Sequence, residues 1–292
     1  MTSVKLPEIV VVGAANADLV SYAKSFPVPG ETLVGHTFET TYGGKAANPA
    51  VQIGLLLSPE ERSKVALVAA LGQDAMIENA KIVYCQNETS TETTLETFRI
   101  AKESPNKPVT VFAPAPAGEI HPAIYGLCDY ILMNTIEAEI LCGTPRPEES
   151  QNAEMEKWIR NLRKSLVQLG QKSEIQGDAP LNTIVTGGSR KCLYLKAASA
   201  MDESSKFGAM DVMAVPPNKT VNTVGAGDSF SGSFIFFLLN GCSMEIALQR
   251  ASVVAGHSIQ RKGASASFFD RSELPQKIFD TAVSEEIEYA SL

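Results

Sequence analysis

Two rhythms of hydrophobic and polar positions alternate along the chain. Short β-branched runs predict strands, and longer segments with apolar residues every three or four positions predict helices. Residues 8–13 (EIVVVG) predict a first buried strand, and 14–18 (AANAD) follow at its carboxyl end, where open α/β sheets place their ligands. Period-two alternation predicts two short strands at 26–35 and 37–42, after which 43–48 (GGKAAN) open a helix through Val51, Ile53 and Leu55. Residues 65–72 (VALVAALG) predict another buried strand and 81–85 the next, with Gln86, Asn87 and Glu88 at its end. A regular alternation follows: helix 91–102, strand 109–112, short helix 120–127, strand 130–133, a helix from Asn134 through Leu141, and an amphipathic helix 153–169. Strands 182–185 and 192–195 flank a glycine turn, and 197–211, small and polar, predict a surface loop. The stretch 222–237 (NTVGAGDSFSGSFIFF) leads from a polar turn into an apolar helix, and helices 245–260 and 275–283 close the chain around a loop at 261–267.

This alternation argues for an α/β fold, a mostly parallel sheet covered on both faces. One interval breaks it. Only eight residues, 73–80, separate the strands at 65–72 and 81–85. A parallel crossover takes roughly a dozen or more residues, usually with a helix. Either these two strands pair antiparallel or a section usual in such folds is missing.

Composition narrows the function. The chain has 292 residues, 44% hydrophobic and 20% charged, enough for one large α/β domain or one with a small appendage. A net charge of −8 argues against sequence-independent binding of nucleic acid or anionic membrane. No stretch has the pattern of a signal peptide or membrane span. Five scattered cysteines without a C-x-x-C pair read as reduced thiols of a cytoplasmic protein, and three histidines lack metal-ligand spacing.

The chemistry concentrates in 222–237. Small residues at Gly225, Ala226 and Gly227 leave backbone N–H groups uncovered just before a helix, an arrangement that attracts anions. Asp228 stands in the first helical turn beside that place. A carboxylate next to a phosphate is repelled by it, so the pairing makes sense if Asp228 takes the proton from a hydroxyl attacking phosphorus. A plain tight loop with an ordinary first-turn acid accounts for the same residues equally well. Elsewhere, Gly43, Gly44, Lys45 and Asn48 supply a close backbone approach and donors suited to hydroxyls, or simply a glycine turn. Asn134 and Glu137 have capping-box spacing or hold phosphate and hydrated magnesium. The turn from Thr186 to Lys191 is a triphosphate contact or a hairpin.

Taken together and in order, these pieces resemble one family. Asn16–Asp18 (NAD), Pro27–Glu31 (PVPGE), GGKAAN at 43–48, N-x-x-E at 134–137, TGGS at 186–189, GAGD at 225–228 and RKGA at 261–264 are similar to the ribokinase branch of the ribokinase-like (PfkB) carbohydrate kinases. The resemblance spans nearly the whole chain. It implies a three-layer αβα sandwich over residues 1–292 with a small, incomplete β-lid inserted at about 20–42. It implies ATP-dependent phosphorylation of the O5 hydroxyl of D-ribose, or of another sugar or a nucleoside, with Mg2+ and K+ as ions and a homodimer formed through the lid. By the same resemblance Asp228 is the catalytic base and Gly225, Ala226 and Gly227 form the anion hole. Asn16, Asp18, Gly44, Lys45, Asn48 and Glu88 join Asp228 in contacting the sugar. Asn134, Thr186, Gly188, Ser189, Lys191, Gly227 and Ser252 contact ATP, and Glu137 helps place magnesium. A monovalent-cation loop would be built from Asn222, Val224, Ser258, Arg261, Gly263 and Ser267, largely through backbone carbonyls.

The chain departs from the family pattern in three places. A long stretch expected after Asp74, including lid strands, is absent, which agrees with the short crossover. Its loss predicts exposed sheet or core surface, a weakened lid dimer, and a chain that binds ligand with impaired turnover as an alternative to a working kinase. The usual aspartate of D-T-x-G-A-G-D is Asn222, which predicts weakened potassium activation. Ser252 stands where larger polar residues often meet the adenine.

Overall fold

The computed structural model describes residues 6–23, 25, 35, 37–68, 75–175, 177–282, 285 and 289. Ten strands fall into two sheets. The main sheet contains β1 (Ile9–Val12), β4 (Val65–Val68), β5 (Ile82–Gln86), β6 (Val109–Ala113), β7 (Tyr130–Asn134), β8 (Asn182–Gly187), β9 (Arg190–Lys196) and β10 (Lys206–Met210), in the order β10-β9-β8-β7-β6-β5-β1-β4. The strands from β4 through β8 are parallel, and β9 and β10 add an antiparallel edge. The small sheet pairs β2 (Asn16–Tyr22) with β3 (Thr37–Gly43) and stands apart from the main one, in the position of a lid.

Side chains along each central strand alternate between two cores, which fixes the three layers. Ile9, Val11, Ile82, Tyr84, Val111 and Leu132 face one way, against α1 (Ala47–Leu56), α7 (Ala226–Leu239) and α8 (Met244–Ser258). Val10, Val12, Val83, Cys85, Phe112 and Ile131 face the other, where α3 (Thr91–Glu103), α4 (Ala123–Leu127) and α6 (Asn152–Gln171) pack. Two short helices, α2 (Ala75–Asn79) and α5 (Thr135–Cys142), and α9 (Lys277–Asp280) complete the set. In α7 the buried positions run almost without a break from Ser229 to Phe237, as a helix enclosed on all sides requires.

Several expectations change. Asn16–Tyr22 forms a strand paired with β3, which the pattern at 14–18 did not predict, and residues 206–210 pair with β9 instead of forming a loop. The last predicted helix shrinks to the four residues of α9. The strand expected at 26–35 and the second half of that at 65–72 lie outside the described residues. What is described of the latter is an edge strand buried only in part, with Val68 in the core and Leu67 40% exposed. Both β4 and β5 run parallel to β1, which removes the antiparallel alternative. The link between them, whose described part carries the five-residue α2, therefore joins strands on opposite sides of β1.

The connections also locate the site. From β1 the chain passes through the lid to α1 on one face; from β5 it passes to α3 on the other. Adjacent strands whose connections leave to opposite faces open a crevice at their carboxyl ends, and ligands of open α/β sheets bind there.

Candidate active site

At that crevice two glycines, Gly44 after β3 and Gly225 before α7, are required by space. Gly44 has φ +107°, and a Cβ on it would come 2.4 Å from the Ala14 carbonyl oxygen, so this turn presses against the end of β1. Gly225 caps α7 with φ +80°, and a Cβ there would lie 2.8 Å from the Ala264 backbone. The loop 261–264 thus buttresses the start of α7. The Ala226 N–H donates to the Thr223 carbonyl at 3.3 Å, whereas no acceptor takes the Gly225 and Gly227 amides among the described residues. Above Gly227 the space is open. Two free N–H groups at the positive end of a fourteen-residue helix form a site for an anion.

Asp228 stands next to it. Its Oδ2 accepts a 2.8 Å hydrogen bond from Asn48 Nδ2, which ties the start of α7 to the start of α1 across 180 residues of sequence. Burial raises the Asp228 carboxyl above the ordinary aspartate range. The Asn48 bond and the Lys45 charge pull it back, and Glu88 and Asp18 push it up again. Glu88 accepts from the Lys45 backbone N–H at 2.8 Å and from Asn16 Nδ2 at 3.5 Å. Asn16 and Lys45 thus meet Glu88, Asn48 meets Asp228, and the charges of Lys45, Glu88 and Asp18 bear on the Asp228 carboxyl. This mixture of donors and acceptors is of a kind that can bind hydroxyl groups.

Beyond Asp228 a cavity of about 100 Å³ is walled by Lys45, Asn134, Glu137, Thr186, Gly227 and Asp228. Asn134 and Glu137 close a full capping box on α5, with bonds of 2.9 and 2.8 Å between side chain and backbone. The cap and the pocket coexist: one Glu137 oxygen takes the Asn134 N–H, and burial raises the Glu137 carboxyl. Among the described residues no group of three or more His, Cys, Asp and Glu could hold a metal ion. A magnesium ion, which keeps most of its waters and leans on substrate phosphates, needs no such cage, and the single Glu137 carboxylate fits it.

The other expected positions sit less directly on the cavity. Gly188 (φ +66°) and Ser189 form the exposed turn between β8 and β9. Lys191 Nζ pairs with Asp211 at 3.2 Å, and Ser252 Oγ accepts the Met213 N–H at 2.8 Å, so both side chains are occupied elsewhere. Around the expected cation loop, the Val221 and Asn222 N–H groups donate to the Ile259 carbonyl, which brings 221–225 against 259–264. Asn222 Oδ1 accepts the Val224 N–H at 2.9 Å, Ser258 Oγ donates to the Ala255 carbonyl, and Ser267 Oγ to the Ala264 carbonyl. The Arg261 guanidinium stacks on Phe269 at 3.6 Å and pairs with Glu273, leaving only backbone atoms of Arg261 and Gly263 toward the loop.

Sequence reasoning missed Arg146. Its side chain is fully buried, donating to the Lys191 carbonyl at 2.8 Å and to Thr135 Oγ1 at 3.3 Å. A Cβ on Gly187 would meet its Nη1 at 2.6 Å, so that glycine makes room for the guanidinium. Arg146 fastens the β8–β9 turn to the first turn of α5. Tyr84, Gln86, Phe230 and Ser231, which also line the cavity, were missed as well, although a glutamine ending a buried apolar strand is a visible signal.

Comparison with known proteins agrees with this architecture. The family model for pfkB family carbohydrate kinases matches residues 6–80 and 75–270, in two stretches that meet at α2. A ribokinase of Mus musculus is 26% identical over 336 aligned positions, covering 93% of this chain and 94% of the relative. That alignment is longer than the 292 residues here, so several dozen positions of the relative have no counterpart. The solved ribokinase of Giardia lamblia superposes with a TM-score of 0.75 at 24% identity, covering 92% of this chain and 97% of that one. The Arabidopsis thaliana ribokinase complexed with ribose and ATP gives 0.71 at 21%, covering 95% and 100%. The chain belongs to the pfkB family of carbohydrate kinases.

Proposed function

We propose that this protein transfers the γ-phosphoryl group of ATP to the O5 hydroxyl of D-ribose, giving D-ribose 5-phosphate. The observation that carries this reading is the buried Asp228 carboxylate, held by Asn48 beside the free Gly225 and Gly227 amides, between a polyol-type cluster and a cavity. The sugar lies against Asp18, Lys45, Asn48 and Glu88. Its attacking hydroxyl gives its proton to Asp228 as the oxygen meets phosphorus, while the α7 amides hold charge on the transferring group. Asn134, Thr186, Gly188 and Ser189 border the place for ATP, and Glu137 would hold a hydrated magnesium ion, which would supply neutralisation of phosphate charge. The ribose and ATP of the Arabidopsis complex support this choice of substrates, and the use of ATP fits a cytoplasmic enzyme. ADP release measured with ribose, 2-deoxyribose, fructose and adenosine tests it. Ribose should give the highest kcat/KM; a higher value with another acceptor would reassign the substrate, and binding without release would make the chain a silent relative.

Two further outcomes follow from the electrostatics. A base must be ionised, and burial raises the Asp228 carboxyl above the ordinary aspartate value. Activity is therefore lost, as pH falls, from a higher pH than an ordinary aspartate would set. Asn48→Ala removes a bond that lowers this carboxyl, so it should shift the acid limb of kcat/KM upward; an unmoved limb would show that another group sets it. For the monovalent cation, the loop offers an amide oxygen already accepting the Val224 N–H where the family pattern has a carboxylate. Potassium activation should therefore be weaker than in an Asn222→Asp variant, by up to about fivefold for a charge contact worth about 1 kcal/mol. Equal activation of the two proteins by potassium would contradict this account of Asn222.

A further inference from the structure

Gln86 ends β5 at the crevice and is 1% exposed, yet neither its Oε1 nor its Nε2 has a hydrogen-bond partner. A buried carboxamide without partners destabilises the free protein, because both dipole ends have given up water for nothing. It lines the cavity shared by Lys45, Glu137, Gly227 and Asp228. A Cβ on Gly13 would come 2.5 Å from its Oε1, so the side chain fills the gap between the ends of β1 and β5, at the switch point itself. Two residues on, Glu88 turns to the polyol cluster through the Lys45 N–H, while Asn134 and Glu137 stand across the cavity. Gln86 thus lines the same cavity as Asp228 on one side and Asn134 and Glu137 on the other. Beneath it the Tyr84 hydroxyl sits close to Gln86 and Ser231 without closing a hydrogen bond on either carboxamide atom. Tyr84 is 1% exposed, and burial together with the Asp228 charge holds it protonated.

We infer that the Gln86 carboxamide donates to an oxygen of the transferring phosphoryl group, with Tyr84 as the positioning residue beneath it. This rests on the phosphoryl-transfer reading of the same cavity. A neutral amide suits the place: it can donate to phosphoryl oxygens without adding charge beside Asp228 and Glu137.

Gln86→Met, of similar volume, separates a ligand contact from a structural one. The substitution removes two unpartnered polar atoms, so the melting temperature of the free protein should rise. In the same variant kcat should fall by about 10–100-fold, the worth of one hydrogen bond to a charged group, with KM for ribose within a few-fold. Tyr84→Phe should show a smaller fall in kcat. The stabilisation of the wild type by magnesium tripolyphosphate should also weaken in Gln86→Met, a readout that works even if no sugar is phosphorylated. A lower melting temperature with unchanged kcat and unchanged tripolyphosphate response would overturn the inference. Absence of sugar phosphorylation by the wild type, with the tripolyphosphate response still lost in the variant, would sink the ribose reading and leave the phosphoryl contact standing.

Discussion

Asp228→Asn should reduce turnover about 10²–10⁴-fold while leaving a folded and slightly more stable protein. The loss follows from removal of the proton acceptor. Asparagine keeps the shape and an oxygen for Asn48 Nδ2, but it cannot take a proton from an attacking hydroxyl. The stability gain follows from linkage. Burial raises the Asp228 carboxyl in the folded state, so the folded chain binds that proton more tightly than the unfolded one. Stability is therefore highest while both states hold the proton and declines as pH rises through the folded value; at neutral pH the ionised carboxylate is a cost. A neutral amide removes that cost, and each kcal/mol regained raises Tm by about 2–4 °C. Thermal unfolding at pH 7, set against the same measurement near pH 4, checks the sign: the advantage of the variant should shrink on the acid side. A variant that loses turnover because it unfolds would speak against this account.

Gly225→Ala should nearly match that loss for a different reason. The residue needs φ +80°, and its Cβ would press on the Ala264 backbone at 2.8 Å, so the α7 cap and the 261–264 loop must part. The amides at Gly225 and Gly227 would then point elsewhere. Losing one preorganised donor costs roughly 3 kcal/mol of transition-state stabilisation, about 10²–10³ in kcat. Here Tm should fall, by contrast with Asp228→Asn, because the strain is paid in the folded state. Ribose affinity, which the proposal assigns to Asp18, Lys45, Asn48 and Glu88, should change by less than about threefold if the two clusters are independent. Equal loss in kcat and ribose binding would mean that the turn supports the sugar side too.

The order of strands and helices was legible because buried parallel strands carry unbroken β-branched runs, as in Ile9–Val12, and α6 has a clean amphipathic stripe. What was not legible depended on partners. Lys206–Met210 (KFGAM) has no strong strand pattern and becomes β10 through its pairing with β9. Asn16–Tyr22 lies outside the main sheet, and its pairing with β3 makes it a strand. At the site, the GAGD and GGKAAN turns announced themselves by composition, since close backbone approach demands small residues. The contact of Asn48 with Asp228 joins positions 180 apart and exists only once α1 and α7 pack. Arg146 was hidden for the opposite reason: a lone arginine in a proline-rich loop (TPRPEE) looks solvated, and only its three-dimensional setting shows it buried under Gly187. The link between β4 and β5 looks too short only when the apolar run is read as a strand to residue 72, whereas the described strand is Val65–Val68.

Phosphorus-31 NMR of the product made from ribose and ATP reads the chemistry at its own atoms. The account predicts a phosphomonoester on the primary C5 oxygen that accumulates with ADP and is absent when Asp228→Asn replaces the wild type. Inorganic phosphate appearing in place of a sugar ester, or an ester formed equally well by that variant, would contradict it.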